Sequence, residues 1–210
     1  MYIDDIVLDR ISETCRYAFS VYEHERTVVV LGRSCSAQQD VYAQKCTEHG
    51  IPIFRRLGGG GSVVLCRGVL VVSAAGETHV PFRLREHMSA VNRAVVMVLE
   101  ELGVKNLCLR GISDIACGEK KICGSSLHKK RDIVLYQGSL LLDPDLEIFA
   151  RYLKHPLREP DYRQGRPHKT FLTSLRREGY RIEKRQLIES LEKELKKHNP
   201  WAALLGGTRY

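Results

Sequence analysis

No stretch of the chain approaches the roughly 18 consecutive apolar residues that a membrane-spanning helix needs, so the sequence predicts no contact with a membrane. The start, Met1-Tyr2-Ile3-Asp4-Asp5, is acidic and lacks a basic region followed by an apolar stretch, which excludes a secretory signal. Cysteine is present but never as a C-x-x-C pair. The seven residues, Cys15, Cys35, Cys46, Cys66, Cys108, Cys117 and Cys123, are odd in number, which argues against a disulfide framework and against a zinc site; no metal site is expected. A reducing cytoplasm is the natural setting. Aromatic residues are sparse in the basic part of the chain, so a surface for stacking nucleic-acid bases is disfavoured. There is no internal repeat and no low-complexity tail.

The 210 residues suffice for one domain with a sizeable core. Their most informative stretch is Arg55-Arg56-Leu57-Gly58-Gly59-Gly60-Gly61-Ser62, where two guanidiniums lead into four residues without side chains. Glycine permits backbone angles barred to other residues and a close approach of ligand to main chain. The arginines add forked donors suited to carboxylate or phosphate. A flexible turn with solvated arginines is the plainer reading. The run lacks the Lys-Ser/Thr pair of a P-loop, and the β-branched residues after it read as a strand, not as the helix of a dinucleotide fingerprint. The glycines therefore sit between strands.

Strands are predicted at 27–31, 52–56, 62–65, 69–73, 107–110, 114–116, 121–126 and 133–142, with turns at 118–120 and 129–132. Ser36 and Gly50 bound one helical segment. Leu84, Met88, Val91, Val95, Val98, Leu99 and Leu102, at steps of three and four, define a helix with one buried face that stops at Gly103. Asp143 and Pro144 predict a helix start running to about Leu153, and prolines make 155–168 an irregular, charged loop. Two further helices are expected at 170–178 and 183–197. Intermixed strands and helices without strict βαβ alternation predict an α+β domain around a mixed sheet.

Ser113-Asp114-Ile115 and Gly118-Glu119-Lys120-Lys121-Ile122-Cys123-Gly124-Ser125-Ser126 form a second constellation. Lys121 and Cys123 lie two apart on one strand, so strict period-two geometry puts both on one face. There the lysine can hold an oxygen that gains charge and the cysteine can act as nucleophile. Against this stand a surface hairpin lysine, a small buried cysteine and a simple turn role for Asp114.

In order and spacing these pieces resemble the lipoate-protein ligase and octanoyltransferase family, which shares its catalytic domain with biotin-protein ligases. The matching segments are Leu31-Gly32-Arg33-Ser34, Arg55 to Val63, Ser113-Asp114-Ile115, Lys120 to Ser126 and Gln137-Gly138-Ser139-Leu140-Leu141, within about 27–155. The resemblance implies a single α+β domain of the biotin/lipoate-protein ligase catalytic type, with a central mixed sheet flanked by helices. It divides the chain into a catalytic domain, 1–182, and a C-terminal helical extension, 183–210.

The implied activity is attachment of a lipoyl or octanoyl group to a carrier-domain lysine through an acyl-adenylate, using ATP and Mg2+. Arg56, Gly58, Gly59, Gly60, Gly61, Ser62, Gly124 and Ser125 would line the acyl-adenylate site. Lys121, Cys123 and Asp114 are the catalytic candidates. Arg163, Arg166 and Lys169, within a chain of net charge +8, would dock an acidic lipoyl carrier. The sequence departs from the family where Leu65, Cys66 and Gln137 replace polar or histidine positions, and where Cys123 replaces serine. An accessory domain would come from a separate chain. The alternatives are a transferase using a Cys123 thioester and a non-catalytic module that binds an acidic carrier or nucleic acid.

Overall fold

The computed structural model describes residues 6–78, 83–197 and 199–201. Met1–Asp5 and the end of the expected C-terminal extension, 202–210, lie outside the described residues. Two sheets carry the fold. The larger has the order β1-β5-β9-β8-β7-β6, built from Tyr17–Glu23 (β1), Val69–Glu77 (β5), Ile133–Leu141 (β9), Lys120–Lys130 (β8), Asp114–Cys117 (β7) and Leu107–Arg110 (β6). The smaller has the order β3-β2-β4, from Ile53–Arg55, Val28–Leu31 and Val63–Leu65. In it β2 runs parallel to β3 and antiparallel to β4.

The alternation along β5 explains why the two sheets and the helices close on one another. Leu70, Val72 and Ala74 face a core shared with α3 (Leu84–Glu101) and α6 (Lys184–Lys197), while Val69 and Val71 face a second core with β2 and α4 (Glu147–Tyr152). A strand buried on both faces reads as a continuous apolar run. The three- and four-residue spacing on α3 is met by buried Met88, Val91, Val95, Val98 and Leu99. Leu187, Leu191 and Leu195 of α6 enter the same core, and the buried Trp201 indole donates to the carbonyl of His87.

Several local expectations yield to tertiary contacts. β1 was not predicted, although Tyr17, Phe19 and Val21 alternate toward the α3/α6 core and the whole strand pairs with β5. The expected helix after Ser36 is broken into α1 (Ala37–Asp40) and α2 (Ala43–Glu48) because Val41 turns extended to bridge Leu153. The helix expected from Asp143 begins only at Glu147, whose amide donates to Asp145 Oδ1 at 3.0 Å, while the amides of Leu142 and Asp143 both donate to the Gly68 carbonyl. Helix 170–178 is also replaced: α5 covers His168–Phe171, and Leu172 then runs extended beside Lys121, with the Thr173 amide donating to the Lys121 carbonyl at 2.9 Å. Those sheet contacts outweigh a weak helix propensity.

Candidate functional site

The glycine run is a shaped loop. Arg56, buried, donates from Nη2 to the carbonyls of Gly59 and Gly61 at 2.6 and 2.7 Å, holding the chain in a tight arc. Gly60 sits at φ +84, a conformation that glycine alone adopts readily. A Cβ on Gly32, which lies before β3 in the chain, would be 2.0 Å from the Gly60 carbonyl oxygen, so the Leu31-Gly32 segment packs directly on the loop. Gly58 has a different reason to be glycine, because a Cβ there would meet Ser126 Oγ at 2.7 Å. Arg55 points away, capping the carbonyls of Gly32, Arg33 and Cys35. The two adjacent arginines thus both shape backbone.

Two contiguous cavities open against this loop. The inner one, about 120 Å³, lies between the sheets, with Val30, Val63 and Leu65 of the smaller sheet on one side and Val71, Ser125, Ser126, Gln137 and Ser139 of the larger sheet, together with Ser113, on the other. The outer one, about 710 Å³, spreads under the 155–168 loop and is bounded by Arg110, Lys154, Arg158, Tyr162, Arg163, His168 and Phe171. Gly60, Gly61, Ser62, Lys121 and Gly124 border both. Lys121 therefore stands at the junction. Its Nζ lies 2.9 Å from Asp114 Oδ1, the lysine side chain 25% exposed and the aspartate 5%. Tyr162 donates to Asp114 Oδ2 at 2.8 Å and Ser113 donates to Oδ1 at 3.1 Å.

The expectation that Lys121 and Cys123 share a face is corrected by a β-bulge. Ala116 pairs with Lys121 and Ile115 with Cys123, which leaves Ile122 as an extra residue on β8. An extra residue breaks the period of two. Lys121 and Gly124 then face the cavities, while Ile122 and Cys123 are sealed in the α3/α6 core. A Cβ on Gly124 would fall 2.5 Å from Lys121 Nζ, so the glycine leaves the ammonium its present place. Burial pushes the Cys123 thiol up to about 12, against a smaller lowering by Lys121. A thiol held this high and away from solvent is a poor nucleophile. Cys123→Ser is expected to leave activity intact, to show no hydroxylamine-sensitive acyl adduct by mass, and to lose about 1–3 kcal/mol of stability, the usual cost of a buried hydroxyl without a partner. Loss of activity in a fully folded mutant would return Cys123 to the chemistry.

The expected docking trio is also divided. Arg163 is 4% exposed and donates to the Arg166 carbonyl, with Glu159 at 3.3 Å, so its charge is held inside the loop. Arg166, half-buried, donates to the carbonyls of Tyr162 and Glu119. Both guanidiniums lie against the Phe171 ring. Only Lys169 is exposed, and it pairs with Glu147 at 2.6 Å. Arg163 and Arg166 brace the cavity roof, and of the three only Lys169 presents an exposed side chain.

Sequence reading missed Tyr162, His168 and Arg110, which the fold brings to the cavity from distant segments. The only signal was the length and charge of the 155–168 loop. The His168 imidazole, in the wall beside Arg163 and Lys121, is pushed down to about 4 by burial and then by those cations and His155, so it is neutral at physiological pH. Among the described residues no group of three or more His, Cys, Asp or Glu side chains is placed to hold a metal ion.

A cation thus stands at the junction of a narrow slot and a wide cavity on a mixed-sheet α+β frame. Residues 1–196 match the family model of the lipoyl protein ligase A/B catalytic domain, and the chain belongs to that family. It is 29% identical over 147 residues to lipoate-protein ligase A subunit 1 of Thermoplasma acidophilum, a match covering 64% of this chain and 54% of that protein. The chain spans between 41% and 63% of the length of the first curated relatives it matches. Its fold is that of the bipartite lipoate protein ligase from T. acidophilum, described with its E2 lipoyl domain, at a TM-score of 0.78 and 20% identity over 91% of this chain and 74% of that one. A lipoate-protein ligase A bound with ATP superposes at a TM-score of 0.74 and 21% identity, covering 90% of this chain and 76% of that one.

Proposed function

We propose that the protein is an enzyme of the lipoate-protein ligase type that attaches a lipoyl or octanoyl group to a lysine of a carrier domain through an acyl-adenylate. The observation that carries this reading is Lys121 at the junction of the two cavities. An apolar acyl tail suits the inner slot between Val30, Val63, Leu65 and Val71. The anionic adenylate head suits the outer cavity, where Arg110, Lys121, Lys154 and Arg158 offset the phosphate charge.

In the transfer step the neutral amine of the carrier lysine attacks the acyl carbonyl. The new C–N bond forms as the bond to the phosphate oxygen breaks, AMP leaves with the electron pair, and the amine gives up a proton. Lys121 is the donor for the oxygens on which charge builds, in a site where such donors act strongly because they are already oriented. ATP, with the magnesium it brings, is the source of the adenylate in this reading, and a lipoate or octanoate carboxylate is the acyl source. A separate accessory chain is part of it, as the name of the T. acidophilum relative, a subunit of a ligase, suggests. The net charge of +8 suits an acidic carrier through electrostatic steering. No described helix is long and apolar enough to cross a membrane.

The test supplies the protein with an apo carrier domain and either lipoate or octanoate with ATP and magnesium, or synthetic lipoyl-AMP directly. A carrier mass raised by one acyl group is expected. A carrier left unmodified when lipoyl-AMP is supplied directly, with no binding of that adenylate, would overturn the proposal.

A further inference from the structure

The 155–168 loop meets Asp114 through the hydroxyl of Tyr162. Tyr162 lies in a 3-10 turn, Asp161–Arg163, with its ring 5.1 Å from that of Phe171 and the Arg110 guanidinium 5.8 Å from its face. Its O–H ends 2.8 Å from the carboxylate oxygen of Asp114 that Lys121 does not hold. Burial and the nearby Asp114 charge push this phenol well above its ordinary range, so it is a donor at any working pH. The loop behind it is tied to itself: the Gly165 amide donates to Glu159 at 2.6 Å and Arg166 donates to the Tyr162 carbonyl at 2.6 Å. Loop, tyrosine, aspartate and lysine form one chain of contacts.

We infer that Tyr162 is a positioning residue for Lys121, acting through Asp114, and that its hydroxyl matters more when an anion occupies the outer cavity than when the cavity is free. Asp114 is 4% exposed. In the free protein its charge is met by the Lys121 ammonium and by two hydroxyls. An anion in the cavity draws on the same ammonium, and the pair then shares one cation between two acceptors. A buried carboxylate that loses a cation needs other donors, because an uncompensated buried charge is strongly unfavourable. Tyr162 and Ser113 supply them. Without the phenol, Asp114 retains its claim on Lys121 and the arriving anion meets a weaker cation.

The inference rests on reading this cavity as an anion site but not on the identity of the acyl group. Affinity for lipoyl-AMP is measured by calorimetry for wild type, Tyr162→Phe, Asp114→Asn and the double variant, with melting followed in parallel. Should wild type not bind lipoyl-AMP, the acyl-adenylate reading fails and the same comparison is made with ATP as the anion. Tyr162→Phe keeps the ring between Phe171 and Arg110, and is expected to bind roughly tenfold more weakly, as for a lost hydrogen bond to a charged group. Its effect should shrink to within about twofold in the Asp114→Asn background, which no loss of loop packing would produce. Ser113→Ala removes the other hydroxyl without touching the loop, and should weaken binding in the same direction. Equal affinity in wild type and Tyr162→Phe, the same loss in both Asp114 backgrounds, or failure of both anions to bind wild type would each overturn the assignment.

Discussion

Replacing Lys121 by alanine is expected to reduce acyl transfer from lipoyl-AMP to the carrier at least a hundredfold while the protein remains folded. The lost ammonium stands 2.9 Å from Asp114 at the border of both cavities, and no other cation occupies that junction among the residues that line both. A preorganised donor facing developing charge is worth roughly 3–4 kcal/mol of barrier, which sets the scale of the loss. Stability should suffer less than for a fully buried pair, because the lysine side chain is 25% exposed and Asp114 keeps the Tyr162 and Ser113 hydroxyls. Single-turnover transfer and thermal melting, measured on the same preparation, test this. Wild-type turnover in the mutant would remove Lys121 from the chemistry. An unfolded mutant is resolved by the Lys121→Ala, Asp114→Asn pair, which removes both charges together.

Arg56→Ala should have the second largest effect, and through shape more than charge. The guanidinium is buried and gathers the carbonyls of Gly59 and Gly61 from one nitrogen, so its removal leaves two oxygens of the arc without their charged donor. Hydrogen bonds to charged groups contribute about 1.5–3 kcal/mol each, and the pair therefore amounts to a few kcal/mol of loop stability. Gly60 and Gly61 border both cavities, so a relaxed arc should enlarge the junction and weaken adenylate binding at least tenfold. Melting temperature and adenylate affinity should fall together. A mutant that melts early yet binds the adenylate as tightly as wild type would show that the arc serves the fold alone.

These two residues mark how unevenly the site was written into the sequence. Arg56 and the glycines are contiguous, and a run of four glycines after two arginines is legible because few other requirements produce it. Lys121 and Gly124 were each legible as candidate site residues, the lysine paired by strict alternation with Cys123. Their common facing was not, because one unpaired residue, Ile122, inverts the alternation and nothing in the local residue types announces a bulge. The same bulge buried Cys123, which strict alternation had set beside the lysine. Arg163 and Arg166 looked like a basic surface by composition, and composition cannot tell a solvated guanidinium from one folded back on carbonyls of its own loop. Tyr162 was invisible, since its partner Asp114 is 48 residues away in the chain.

By itself the sequence determined the class of the fold, the strand-to-strand setting of the glycine arc, the amphipathic α3 and the family. All of these depend on local periodicity, on backbone freedom at glycine or on the order of short segments. The tertiary structure alone decided which side chains meet. It drew Leu172 into a bridge with Lys121 and bound the Thr173 and Leu175 amides to the Lys121 and Leu141 carbonyls, because these contacts outweigh the helix propensity of a nine-residue stretch. It sent Cys123 into the core, and it roofed the outer cavity with a loop whose tyrosine reaches Asp114, the carboxylate paired with Lys121. Contacts between distant segments depend on long-range packing and charge compensation, for which neighbouring residues in the chain carry no signal.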